Sequence, residues 1–314
     1  MELQQILHDA SQPDPTWEIA RACVQKHLSI PSTLPRLIKS GWEAQMSQAD
    51  FLKLVGGCRL NAGCLLAAAQ IMSDGRKPSI QHVTSALNSL GMGYSGVVIA
   101  VNVVTRLFLK SKPPPLWKSL LKDMMSSIEI GYILGSKIPN FGSAGGALMG
   151  FADFLGQIIL CIDSPKTLKE WRFQMSRAGK LGRKVEVEFF GCEPYQVAAV
   201  AVQSLGFGVP TAVGTALGLG RLNPQYLELG PSIDCWKAAI LWIEALRRGR
   251  DYPPDAAMRD FFSEIAPLKD PQKKNLTLGV LYTEVAKVRS NGSDWTWHLP
   301  LPSYDATQDA WDLG

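Results

Sequence analysis

Sixteen residues, Gly145 to Leu160, read GGALMGFADFLGQIIL and contain one charge, Asp153. A helix apolar almost all round is buried, so this carboxylate needs a partner: a backbone group, an arginine or a bound cation. A second acidic residue, Glu244, sits in a later amphipathic stretch. Two carboxylates hold Mg²⁺ only with help from waters or substrate phosphates. Metal-assisted phosphoester hydrolysis needs more, namely neutral imidazoles converging with carboxylate on a divalent cation that activates water. The chain has four histidines, His8, His27, His82 and His298, spread from the N-terminus to the tail. Each reads as a surface or ordinary packed histidine. The six cysteines (Cys23, Cys58, Cys64, Cys161, Cys192, Cys235) show no C-x-x-C spacing. They read as reduced core thiols rather than a disulfide set or a zinc site.

Other catalytic patterns are weak. Gly142 to Gly150, GSAGGALMG, is glycine-rich but lacks the lysine of a phosphate-binding loop, and no strand precedes it. It reads as a helix start that allows close packing. G-x-S-x-G, H-E-x-x-H and EF-hand patterns do not occur. Basic runs at Arg177 to Lys184 and Leu246 to Arg250 could meet phosphate groups, but such runs are more often solvated faces. No nucleic-acid partner is expected from them.

The elements that must position these residues are helices. Apolar residues at helical spacing recur along the 314-residue chain, and no strand-rich region or internal repeat is visible. Ser47 is placed to cap a helix, with Asp50 three residues on. Helices are further expected over Ala62 to Met72, Ser79 to Gly91, Ser95 to Leu109, Leu116 to Ser136, Ser164 to Ala178, Ile233 to Arg247, Ala256 to Ile265 and Leu276 to Arg289. The charge-poor run Pro194 to Gly220 breaks near Gly206 to Pro210 and predicts two buried helices rather than a membrane span. The run Lys110-Ser111-Lys112-Pro113-Pro114-Pro115 is the best boundary in the chain. A net charge of +4 is mild, but from Asn291 onward there are four Asp and no Lys or Arg. In that acidic tail Trp295, Trp297, Tyr304 and Trp311 are costly to leave in water. They are expected to cover a groove on their own chain, with docking to a partner as the alternative. The first residues carry no basic and apolar leader, so a cytoplasmic chain with no membrane span is expected.

Several of these stretches resemble the HDOD family, the HD-related output domains. Ser79-Ile80, Val83, Ala86-Leu87 and Leu90-Gly91 match its S-I-x-x-V-x-x-A-L-x-x-L-G piece. Met149-Gly150-Phe151-Ala152 and Leu155-Gly156-Gln157-Ile158 match the A-G-L-L and I-G-K-L flanks of the HD core helix. The metal-binding His-Asp pair falls on Asp153-Phe154. The other metal positions fall on Ser119, Pro194, Gly220-Arg221 and, on or near, Glu244. The resemblance covers about Leu28 to Arg250.

The resemblance implies an all-α, two-lobed helical protein with a degenerate HD-like C-terminal lobe. The expected organisation is lead helices over 1–27, an N-terminal lobe over 28–112, the HD-like lobe over 113–250, extra helices over 251–290 and the tail over 291–314. It further implies a non-catalytic, bacterial-type signal-transduction module, with no metal and no cofactor. Such a module would act through a protein partner or a small ligand bound in a groove between the lobes, near Ser119, Asp153, Arg221 and Glu244. Two alternatives are a residual nucleotide-binding or phosphodiesterase-like protein using Asp153, Glu244 and Arg221, and a nucleic-acid-associated regulator using the basic clusters.

Overall fold

The computed structural model describes residues 14–72, 82–112, 117–179, 181–220, 231–268 and 275–293. Every regular element among them is a helix, as expected. These are α1 (Thr16–His27), α2 (Thr33–Trp42), α3 (Gln48–Gly56), α4 (Arg59–Met72), α5 (Val83–Leu90), α6 (Met92–Lys110), α7 (Trp117–Ser136) and α8 (Gly142–Asp163). There follow α9 (Pro165–Ala178), α10 (Arg183–Phe190), α11 (Pro194–Ser204), α12 (Val209–Leu219), α13 (Pro231–Arg247), α14 (Ala256–Arg259) and α15 (Leu276–Asn291). The described chain divides into two units. The smaller takes 29–112 and 204–207, and the larger takes 14–28, 117–203 and 208–293. The lead helix α1 and the late helices α14 and α15 thus belong to the larger unit.

In the smaller unit α6 is the central element. Its valine-rich middle, Val97 to Val104, is buried against α2 and α4, which supply Leu37, Ile38, Leu65 and Ala68. Helix α3 starts as its sequence requires: the Ser47 hydroxyl accepts from the Asp50 amide at 3.2 Å. Helix α5 ends at Gly91, whose φ of 73° suits a residue without a Cβ.

The larger unit is built on the α7–α8 pair, which crosses backbone to backbone. A methyl added at Gly146 would fall on the Gly131 carbonyl, and one at Gly150 on the Ser127 carbonyl. Glycines four residues apart on both helices (Gly131 and Gly135; Gly146 and Gly150) therefore let the two backbones touch, burying Ala147, Phe151, Phe154 and Ile158. Gly156 does the same further along, where the Pro194 carbonyl would lie 2.5 Å from an added Cβ. That approach sets the start of α11 beside the Asp153 turn of α8.

Helices α6 and α8 are long and apolar enough to cross a membrane by length and composition. Their apolar surface is used in packing: 78% of the α6 window and 83% of the α8 window is buried within the protein. Helix α6 also buries Asn102, Thr105 and Arg106.

One local expectation is corrected. The stretch Ala256 to Ile265 is helical only over α14. Asp255 caps it by accepting from the Met258 amide at 3.2 Å, and the chain then leaves the helix so that Phe262 can stack on Phe141 at 5.7 Å and Ile265 can be buried. Burial of two large side chains outweighs one more helical turn. Conversely, part of the basic run at Arg177 to Lys184 opens a helix, α10, whose inner face buries Glu186.

Candidate functional site

One cavity of about 130 Å³ lies inside the larger unit, and every residue lining it belongs to that unit. Helix α8 contributes Met149, Asp153 and Gln157. Helices α9 to α11 and the turns between them contribute Trp171, Glu186, Glu193, Pro194 and Tyr195. The end of α12 adds Leu219 and Gly220, and α13 adds Ile240, Ile243, Glu244 and Arg247, followed by Arg248.

Asp153 is engaged by an arginine, one of the partners its buried position demands. An Nη2 of Arg247 donates to its Oδ2 at 3.1 Å, and the same guanidinium lies 5.1 Å from the centre of the Phe154 ring. The side chains of Arg247 and Asp153 are 29% and 22% exposed, so the pair is largely withdrawn from water. Burial pushes the Asp153 carboxyl above the usual carboxylate range; Arg247 opposes this and Glu244 adds to it. Arg248 pairs with Glu244 at 3.0 Å, one helical turn earlier. The indole of Trp171 donates to Glu186 at 3.3 Å. Arg172 bridges the outer wall, donating to Gln157 at 3.2 Å and to Asp123 at 2.6 Å.

The far wall is braced by α1. Gln196 accepts from the Glu193 amide at 2.8 Å and donates to the Thr16 hydroxyl at 2.8 Å. Trp17 meets the Tyr195 ring edge-on at 6.0 Å. Arg183 reaches Glu193 at 3.5 Å and also pairs with Asp14. Burial, with Glu193 close by, pushes the Tyr195 phenol well above its ordinary value.

Four carboxylates (Asp153, Glu186, Glu193, Glu244) and two guanidiniums (Arg247, Arg248) therefore share one wall system with Trp171 and Tyr195. The donors do not fit a hydrolytic metal centre. No histidine lines the cavity, and its acids form no group of three with oxygens within 4.8 Å of one another among the described residues. The carboxylate best placed to bind a cation, Asp153, already faces one belonging to the protein.

The sites expected from the sequence are distributed as follows. Asp153 and Glu244 line this cavity together with Pro194 and Gly220. Ser119 is exposed on α7 and is not among the lining residues. Arg221, Trp295, Trp297, Tyr304 and Trp311 lie outside the described residues. The sequence reading set the binding groove between the lobes, whereas this cavity is walled by the larger unit alone. Arg247, Glu186 and Glu193 were missed as lining residues. A signal existed for Arg247, three residues after Glu244 and thus on the same helix face. A different cluster was also missed: Cys23, His27 and Asp163, whose ligating atoms all lie within 4.8 Å of one another.

Neither a family model nor a curated protein matches the sequence. Solved structures do match. An HDOD domain protein of unknown function from Geobacter sulfurreducens is 12% identical, covers 90% of this chain and 91% of its own, and superposes with a TM-score of 0.57. A protein from Shewanella amazonensis SB2B, provisionally named a phosphohydrolase, is 13% identical, covers 90% and 96%, and gives a TM-score of 0.57. The fold therefore resembles that of these two solved structures. At such identities the likeness is one of fold alone.

Proposed function

We propose that the protein is a non-catalytic, bacterial-type regulatory module that acts by binding a small ligand in the Asp153 cavity and thereby altering its engagement with a protein partner. The observation that carries this reading is the Arg247–Asp153 pair at 3.1 Å. The resemblance sets a metal-binding His-Asp doublet at Asp153-Phe154; here a guanidinium pairs with the first residue and stacks on the second. A fixed internal cation satisfies the buried carboxylate but activates no water. Of the remaining family positions on the cavity, Pro194 and Gly220 offer no side-chain ligand, and the Glu244 carboxylate already faces Arg248 at 3.0 Å.

The lining chemistry bears on the ligand class. Carboxylates outnumber guanidiniums, and each arginine already faces an acid. A phosphate ester would meet net negative charge, whereas a ligand with cationic or hydrogen-bond-donating groups and an apolar body would meet Glu186, Glu193, Trp171 and Tyr195. Arginines committed to Asp153, Glu244, Glu193 and Asp123 also weaken the nucleic-acid reading.

Native mass spectrometry of the full chain after incubation with a bacterial metabolite extract tests the reading. The expected result is one retained small molecule that is lost in Leu219→Trp, where an indole would fill the cavity. Equal retention by both proteins would place binding elsewhere and overturn the proposal.

A further inference from the structure

Cys23 and His27 are one helical turn apart on α1, so their side chains project from the same face. That face meets the C-terminal end of α8, where Asp163 is the last helical residue. His27 Nε2 lies 2.7 Å from Asp163 Oδ1, and the Cys23 thiol, the imidazole and the carboxylate have ligating atoms within 4.8 Å of one another. Cys23 and His27 are half-buried, so the cluster is anchored in the fold and still reachable.

We propose that Cys23, His27 and Asp163 form a binding site for a divalent cation of the zinc class. One thiolate, one imidazole and one carboxylate are a borderline-soft set that suits Zn²⁺ and Co²⁺ better than Mg²⁺ or Ca²⁺. Zinc–ligand bonds near 2.0–2.3 Å at tetrahedral angles require ligand atoms about 3.3–3.6 Å apart. The cluster therefore needs adjustments of roughly 1.5 Å at most to close on the ion. Water supplies the fourth ligand.

One feature supports the assignment. The cation now opposite Asp163 is replaceable, since Lys26 pairs with it at 2.8 Å from a side chain 67% exposed. On binding, Cys23 gives up its thiol proton to solvent, the imidazole coordinates as the neutral ring, and Lys26 swings into water. The ion would fasten α1, the helix that carries Trp17 against Tyr195, to the end of α8. The site shares no residue with the Asp153 cavity, so the two proposals fail separately.

The test is Co²⁺ titration of the metal-stripped full chain, followed by optical spectroscopy. The site predicts one equivalent bound, with a thiolate-to-cobalt charge-transfer band, abolition of that band in Cys23→Ser, and affinity at least tenfold weaker in His27→Gln and Asp163→Asn. Binding without the band would overturn the proposal. So would a band that survives Cys23→Ser and disappears in Cys192→Ser, the buried neighbouring thiol. Should Cys23→Ser fail to fold, alkylation of the native protein decides. Bound Zn²⁺ is expected to slow modification of Cys23 at least tenfold and to leave Cys58 and Cys235 unchanged, whereas equal rates with and without Zn²⁺ overturn the site.

Discussion

The guanidinium of Arg247 donates to the carboxylate of Asp153 at 3.1 Å, joining two helices whose residues are 94 positions apart in the chain. The pair stands in a cavity with three further carboxylates. Removing the arginine leaves Asp153 uncompensated in that setting. Arg247→Met is expected to destabilise the fold by about 1–3 kcal/mol, between the values for exposed and fully buried pairs. Asp153→Asn/Arg247→Met should recover part of that loss. Urea unfolding of the three proteins checks both statements.

The same pair predicts a pH dependence. Burial raises the Asp153 pKa in the folded state above its ordinary value of 3.8, and Arg247 restrains the rise. The fold therefore favours the protonated form, and stability from this group is complete below 3.8 and declines as pH rises through the folded pKa. Arg247→Met raises the folded pKa further. Its deficit should be small at acidic pH and grow toward neutrality, as read from urea midpoints at several pH values. A deficit independent of pH would show that Arg247 acts through packing on Phe154 instead.

Asp14 behaves in the opposite sense. Burial tends to raise its pKa, but hydrogen bonds from the Thr16 hydroxyl and amide, with Arg183, bring it below the ordinary value of 3.8. Its contribution is present above 3.8 and is lost as pH falls through the lower folded value. Asp14→Ala should cost about 0.5–2 kcal/mol at neutral pH, comparable to loss of a helix cap. The difference in melting temperature from the unmodified protein should vanish in strong acid. A difference that persists there would mean the carboxylate's charge is not what matters.

Backbone contact between α7 and α8 sets a fourth test. Gly146→Ala drives a methyl into the Gly131 carbonyl, with no side chain available to yield. The expected loss is about 3 kcal/mol or more. Gly279→Ala, on an exposed turn of α15 with nothing within 4 Å of the new methyl, should instead stabilise by roughly 0.5–1 kcal/mol. Calorimetric melting of the two variants separates a glycine needed for contact from one that merely tolerates its place.

What could be read from the sequence follows the range of the forces involved. Ser47 and Asp50 announced a helix start because capping acts over three residues, and the buried Asp153 announced its need for a partner because an apolar run surrounds it. Which arginine would answer was hidden, since Arg247 reaches Asp153 only after α8 and α13 pack. Cys23 and His27 had helical spacing in plain view, yet Asp163 is 136 residues from His27 in the chain and joins them only through the α1–α8 contact. The early end of α14 was hidden for the same reason: Phe262 leaves the helix for a ring, Phe141, that lies far off in sequence.

The central claim is that the cavity binds and does not hydrolyse. Its most direct test is hydrolysis of bis(p-nitrophenyl) phosphate by the full chain in saturating Mn²⁺, with Asp153→Ala run beside it. Metal bound at Cys23, His27 and Asp163 does not confuse this reading, because Asp153 takes no part there. The account predicts no turnover that depends on Asp153. Manganese-dependent hydrolysis that is abolished in Asp153→Ala would contradict it and make the cavity an active site.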